Sequence, residues 1–119
     1  MTTPSRPIYL KLRDQIATGI IDGTYPEGGL LPSVRAFAAA QGANPLTVAK
    51  AYQQFQLDGL VDVLRGVGMV VASGAAERLR ELERAAFLKQ EWPQIRARIE
   101  LLGLDPATLL DESPVPALD

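Results

Sequence analysis

The sequence contains no cysteine and no histidine. Their absence excludes disulfides, zinc sites with Cys or His ligands, thiol nucleophiles and imidazole general bases. Catalysis would have to depend on Asp, Glu, Lys, Ser or Tyr alone, so the composition argues against an enzyme. We expect neither a cofactor nor a metal site.

Long apolar runs are also missing. No run approaches the roughly 18 residues that a transmembrane helix needs. The polar, proline-bounded residues 1–7 lack the apolar core of a secretory signal. We therefore expect a cytoplasmic protein without a membrane partner. A chain of 119 residues, 47% of them hydrophobic, fits one small domain with an appended helical arm.

Charge is unevenly distributed along the chain. Residues 1–74 carry six basic and five acidic side chains, whereas residues 75–119 carry six basic and nine acidic ones. The overall net charge of −2 argues mildly against a nucleic-acid partner. Because the acidity lies in the C-terminal part, the front of the chain is near neutral and remains compatible with DNA binding.

Three amphipathic helices are predicted in the first half of the chain. Apolar residues recur every four positions from Ile8 to Ile20. Ser33 and Asn44 are good N-caps for two further helices, which meet across Gly42-Ala43. A short helix, a tight turn and a longer helix form the helix-turn-helix arrangement. The inward-facing residues of its two helices are Val34, Phe37, Ala38, Val48, Ala51, Tyr52 and Phe55.

A hairpin is predicted directly after the third helix. Apolar and β-branched residues at 60–64 and 69–72 flank the segment Arg65-Gly66-Val67-Gly68. Its glycines can adopt the positive φ that a hairpin turn requires. In this position a hairpin indicates the wing of a winged helix, although the glycine pair alone also fits an ordinary hairpin.

Residues 75–102 lack glycine and are rich in Ala, Leu, Glu and Arg, which predicts a long helix. Pro93 removes a backbone donor, so we expect a kink or break near residues 90–92. Interleaved Glu and Arg residues in this region indicate a solvated helix surface. Apolar residues spaced four and three apart indicate a dimer interface, with the tryptophan as its anchor: Leu88, Trp92, Ile95, Ile99 and Leu102.

These motifs together resemble the GntR family, and most closely its short YtrA branch. The resemblance covers about residues 6–74 and rests on Pro7-Ile8-Tyr9, Pro26-Glu27-Gly28, Leu31-Pro32-Ser33-Val34-Arg35, Asn44-Pro45-Leu46-Thr47-Val48, Ala51-Tyr52, Gly59-Leu60 and Arg65-Gly66-Val67-Gly68. It implies a mainly α fold, with a winged helix-turn-helix DNA-binding domain at 6–74 and a helical dimerisation arm at 75–119. It also implies a homodimeric bacterial regulator, usually a repressor, without a large effector domain. Whether a small-molecule effector exists is not readable from the sequence.

The resemblance and the helix-turn-helix geometry point to a set of DNA contacts. By resemblance Arg35 contacts DNA, and an arginine there can reach a phosphate or a guanine edge. The first turns of a recognition helix meet bases and phosphates in the major groove, although Asn44 is equally well explained as a cap alone. A wing tip with close backbone approach fits a minor groove. The predicted DNA-binding residues are Arg35, Asn44, Pro45, Leu46, Thr47, Lys50, Arg65, Gly66 and Gly68.

The chain departs from the family pattern at three places. Asn44-Pro45 stands where many members have Ser-Arg or Thr-Arg, and Lys50 stands where arginine is frequent. The often basic stretch before the wing turn is Asp62-Val63-Leu64. We therefore expect modest phosphate affinity per monomer. Two functions stay open: a homodimeric repressor on a pseudo-palindromic operator, or a winged-helix protein-interaction module with little DNA affinity.

Overall fold

The structure is a computed structural model that describes residues 7–111, and it is mainly helical. In chain order its elements are α1 (Ile8–Ile21), α2 (Val34–Gln41), α3 (Pro45–Leu57), β1 (Val61–Leu64), β2 (Gly68–Val71), α4 (Ala75–Ala86), a π-helical turn (Phe87–Glu91), α5 (Trp92–Leu102) and α6 (Pro106–Asp111). Two compact units divide between Leu82 and Glu83. The sequence also predicts a short mobile leader at residues 2–7 and a frayed tail at 112–119, and of these segments only Pro7 lies within the described residues. Within residues 7–111 no helix is both long and apolar enough to cross a bilayer.

Local capping explains where the helices of the first unit begin and end. The Ser33 hydroxyl accepts a hydrogen bond from the Ala36 N–H at 3.0 Å, which caps α2. The Asn44 side chain caps α3 in the same way, and Gly42 ends α2 in the left-handed region at φ 63°. The three predicted helices are confirmed, and the caps of α2 and α3 account for the turn between them.

The core of the first unit collects the apolar faces of α1 to α4 and the hairpin. The predicted inward faces of α2 and α3 are confirmed, except that Val34 is only partly buried. Ile8, which begins the apolar stripe of α1, is 55% exposed because it lies at the outer end of the helix. The buried core residues are Leu12, Ile16, Ala17, Ile20, Leu31, Phe37, Ala38, Val48, Ala51, Tyr52, Phe55, Leu60, Val61, Val71, Ala75 and Leu79.

The predicted hairpin is present, and residues 28–31 of the loop before α2 pair with its second strand. β1 and β2 pair antiparallel with Val61 opposite Val71. On the other edge of β2, the Leu31 N–H donates to the Met69 carbonyl at 2.9 Å, and Gly28 and Gly29 pair with Val71. From its glycines and prolines, the sequence predicts only a loop for 24–32. The pairing with β2 is not predicted, because backbone bonds to a distant strand leave no alternation pattern in the local sequence. β2 therefore has backbone hydrogen bonds along both edges, to β1 on one side and to the loop before α2 on the other.

The first unit extends beyond the boundary at residue 74 that the sequence predicts. Ala75 and Leu79 are both fully buried against the core of this unit, so the start of α4 is part of it. The division falls after Leu82. The helical pattern alone does not show which turns of α4 pack on the preceding domain.

The predicted interruption of the arm is confirmed, and it has π-helical geometry. The Trp92 N–H donates to the Phe87 carbonyl, five residues earlier. Pro93 cannot donate to the Lys89 carbonyl, and its ring crowds that group. The turn before it therefore has hydrogen bonds that join residues five apart instead of four. Gly103 then ends α5 with a left-handed φ of 69°, as its position predicts.

Candidate nucleic-acid interface

Arg35 lies in the first turn of α2, directly after the capped N-terminus. Its side chain is exposed, and within residues 7–111 no carboxylate or carbonyl holds it. The Ser33 hydroxyl is occupied by its capping bond to Ala36. The charged group that this helix start offers to a ligand is therefore the Arg35 guanidinium.

Tyr52 fixes the position of α3 relative to the start of α2. Its hydroxyl donates to the Pro32 carbonyl at 2.8 Å, and its ring lies 6.2 Å from the Phe37 ring. Burial raises the pKa of Tyr52 well above its usual value, so the hydroxyl stays protonated and remains a donor. This contact holds α2 and α3 at a fixed spacing, which keeps the exposed groups of both helices in one arrangement.

The first turn of α3 presents a mixed surface. The Asn44 Oδ1 accepts the Leu46 N–H at 2.8 Å, so the capping role of Asn44 is confirmed, and its amide nitrogen remains exposed. Pro45 occupies the first position, where the missing N–H costs no helical bond. Leu46 is 73% exposed, Thr47 is half-buried and Lys50 is exposed. The projecting groups are therefore one apolar side chain and, one turn later, one cation.

The wing turn lies beside the start of α2. Gly66 has a φ of 78° in the turn, and Gly68 has a φ of 139° where β2 begins opposite Leu64. Both glycines thus adopt the positive φ that the sequence predicts. Val67 and Gly68 line the same groove of about 410 Å³ as Ser33 and Val34. The structure therefore brings two of the predicted contact segments, the wing turn and the α2 start, together around one groove.

Few of the cations that the structure describes at 7–82 are free to bind phosphate. Arg13 lies 3.3 Å from Asp14 and over the Phe55 ring, while Arg78 and Arg80 donate to backbone carbonyls. On the wing, Asp62 adds an exposed negative charge. The basic residues of 7–82 that have no partner among the described residues are Lys11, Arg35, Lys50 and Arg65. Lys11, on the exposed side of α1, is outside the predicted set.

Acidic side chains do not converge into a metal site. Within the part of the chain that the structure describes, no group of three Asp or Glu residues is placed to hold a metal ion. The site thus consists of three segments: the start of α2, the first turns of α3 and the wing turn. Each carries its own cation, and exposed apolar groups and backbone turns lie beside these cations. Such a surface can bind a polyanion with a grooved shape.

Comparison with known proteins decides the family. Residues 6–71, more than half of the chain, match the family described as bacterial regulatory proteins of the gntR family. The chain belongs to the GntR family. This membership makes it a DNA-binding transcriptional regulator rather than an enzyme, and it favours DNA binding over the alternative of a protein-interaction module.

Individual relatives of this GntR protein cover most of its length. The HTH-type transcriptional repressor YtrA of Bacillus subtilis (strain 168) is 34% identical over 101 residues, which span 85% of this chain and 77% of the relative. A GntR-family regulator from Bacteroides thetaiotaomicron is 34% identical with a TM-score of 0.64, covering 87% of this chain and 90% of that one. A GntR-family regulator from Listeria monocytogenes is 28% identical with a TM-score of 0.67, covering 92% and 94%. The resemblance to the YtrA branch is confirmed.

Three charged residues for which the sequence predicts no such contact, Glu27, Arg78 and Arg80, hold the start of α4 against the rest of the first unit of this GntR regulator. The Glu27 carboxylate accepts the Gly74 N–H at 2.9 Å and the Ala76 N–H at 3.4 Å, which caps α4 from a distant loop. Arg78 donates to the Asp58 carbonyl at 2.8 Å and to the Gly59 carbonyl at 3.1 Å. Glu27 thus satisfies N–H groups at the start of α4, and Arg78 satisfies carbonyls at the end of α3, where they lack helical partners.

Arg80 acts similarly on α1. It donates to the Ile21 carbonyl at 3.3 Å and pairs with Glu77 at 2.7 Å. Arg78 and Arg80 are exposed, as the sequence predicts for this surface, and their guanidinium groups also bind carbonyls at the ends of α3 and α1. The sequence gives no signal for this, because each partner lies in another helix.

The second unit exposes the apolar side chains of the predicted seam. Leu88 is 55%, Trp92 37% and Ile95 40% exposed, Ile99 is half-buried and Leu102 is 55% exposed. Phe87, which the seam omits, is 39% exposed, and its ring lies 6.5 Å from that of Trp92. None of the described residues of this unit, 83–111, is buried. Its helices thus present apolar groups that the described residues leave uncovered.

Proposed function

We propose that this GntR regulator is a homodimer that represses transcription by occupying a pseudo-palindromic operator. One observation carries the proposal: residues 83–111 form helices with exposed apolar side chains and no buried residue among them. Exposed apolar surface of this extent is typical of an interface. A second copy of the same helices is the simplest cover, because a two-fold dimer pairs the same surface of both subunits.

The proposed DNA contacts divide by chemistry. Arg35, Lys50 and Arg65 supply the free cations for phosphates or guanine edges. Asn44 and Thr47 supply polar groups in the first turn of α3. Pro45 and Leu46 supply apolar contact there, and Gly66 and Gly68 allow close approach of the wing backbone. The regulator acts on DNA in the cytoplasm in this proposal.

Two-fold symmetry gives the operator its form. Each protomer places one α3 in a major groove, so the half-sites lie roughly 10 base pairs apart, centre to centre, or a multiple of one helical turn. With few free cations on each first unit, binding by one protomer is weak. Joining two first units in a dimer multiplies their effect through a high effective concentration.

The salt dependence of binding tests this proposal. The protein is titrated by fluorescence anisotropy against the promoter region upstream of its own gene, between 50 and 200 mM salt. Each phosphate contact contributes about 0.9 to the slope of log K against log salt, so Lys50→Ala in a dimer lowers the slope by about 2. Arg35→Ala has a similar effect if its guanidinium binds phosphate.

Lys89→Ala is the matched control, because Lys89 is an exposed lysine of the second unit without a partner among residues 7–111. It leaves the slope unchanged. The proposal is wrong if the native protein shows no specific binding at low salt, or if the Lys50 and Arg35 variants bind as the native protein does.

A further inference from the structure

We propose that the first turn of α3 reads the 5-methyl group of thymine through Leu46, so that each half-site prefers thymine at one fixed position. This inference rests on the proposed operator binding and names the base that the site takes. The carrying observation is the 73% exposure of Leu46 at the second residue of α3. Leu46 is thus a bulky, exposed apolar side chain in the first turn of α3, and the first turn is the part of a recognition helix that enters the major groove.

Among the other groups of this turn, hydrogen bonds to bases are left to the Asn44 amide nitrogen and the Thr47 hydroxyl. The Asn44 Oδ1 already accepts the Leu46 N–H at 2.8 Å, so that oxygen is engaged in the cap. Pro45 has no N–H to donate, and Thr47 is half-buried. Lys50, one turn later, is a point charge that suits phosphate. The largest side chain that the first turn of α3 exposes, Leu46, is apolar.

An apolar side chain in the major groove distinguishes one base by its chemistry. Only thymine presents a methyl group there, at C5, whereas the other three bases present donors and acceptors. A leucine facing a donor or acceptor would remove water from it without replacing its hydrogen bond. Contact with the thymine methyl buries both apolar groups instead. Leu46 thus favours thymine and disfavours the other bases.

The test uses DNA that the protein itself selects. The native protein is first used to enrich duplexes from a random-sequence pool, which gives the half-site. Each thymine of the selected duplex is then replaced by uracil, which removes only the methyl group. Loss of one buried methyl lowers affinity by about fourfold, and symmetric replacement in both half-sites by about fifteenfold. We expect one thymine of each half-site to show this effect.

Two leucine variants assign the effect to a side chain. Leu46→Ala reduces the thymine-to-uracil ratio at that position to less than twofold. Leu57→Ala is the matched control, because Leu57 is 75% exposed at the other end of α3, and this variant keeps the full ratio. Because both leucines are exposed, neither change removes core packing, and circular dichroism verifies the fold.

Two results overturn the inference while leaving operator binding intact. The first is a native protein that binds the uracil duplexes as tightly as the thymine duplex. The second is a Leu46→Ala variant that retains the full methyl dependence. If the pool yields no enriched sequence, the proposed function itself fails, and this inference fails with it.

Discussion

Replacing Trp92 by alanine removes the largest apolar side chain that the second unit exposes. Trp92 is 37% exposed, which corresponds to about 90 Å² of an area of about 250 Å². At about 25 cal/mol per Å², covering this area contributes about 2 kcal/mol per protomer. Two copies meet in a two-fold dimer, so Trp92→Ala weakens association by about 4 kcal/mol, or about a thousandfold in the dissociation constant.

Sedimentation equilibrium over a range of protein concentrations measures this change. Trp92 is the single tryptophan of the chain, so its emission provides a second readout in the native protein. Dilution below the dissociation constant exposes the indole to water and shifts its emission to longer wavelength. Leu110→Ala is the control, because Leu110 is 90% exposed and lies outside the predicted seam, and it leaves the dimer unchanged. A Trp92→Ala variant that dimerises within threefold of the native protein would refute this interface.

Two further predictions concern the packing of the first unit. Arg78→Ala removes two hydrogen bonds to the end of α3 and lowers the free energy of unfolding in urea by about 1 kcal/mol, whereas Arg84→Ala, without such a partner among residues 7–111, leaves it unchanged. Equal urea midpoints for the two variants would contradict the role of Arg78. Tyr52→Phe removes the bond to Pro32 and costs about 1 kcal/mol at pH 8. The pKa of Tyr52 is raised in the folded protein, so its stabilisation is complete below about pH 10, the pKa of an unfolded tyrosine, and decreases as pH rises through the folded value. The difference between native protein and Tyr52→Phe therefore narrows above about pH 10, and a constant difference would contradict this coupling.

The parts of the fold that the sequence predicts are those whose causes are local. Ser33 bonds to a residue three positions later and Asn44 to one two positions later, so both caps can be recognised as short motifs. The inward faces of α2 and α3 follow from helical spacing, and the wing turn follows from its glycines. For the same reason the candidate residues on α3 and in the wing could be named before the structure was known.

The parts that the sequence does not predict depend on distant partners. Glu27 lies 47 residues from Gly74, and its carboxylate is one of many with no local mark of a capping role. Arg78 lies 20 residues from Asp58, whose carbonyl it binds. On a helical wheel such an arginine is indistinguishable from a solvated one. These contacts decide that α4 begins as part of the first unit, and they explain why its boundary lies later than composition suggests.

The dimer surface shows a third case, in which a local irregularity changes which side chains are neighbours. In an α-helix, residues five apart point about 140° away from each other. The π-helical turn before Pro93 brings Phe87 and Trp92 to 6.5 Å between ring centres instead. A seam derived from regular four and three spacing therefore starts at Leu88 and omits Phe87. With the observed geometry, the proposed interface begins with a pair of aromatic rings, and this pair offers more apolar area around its anchor than the spacing alone implies.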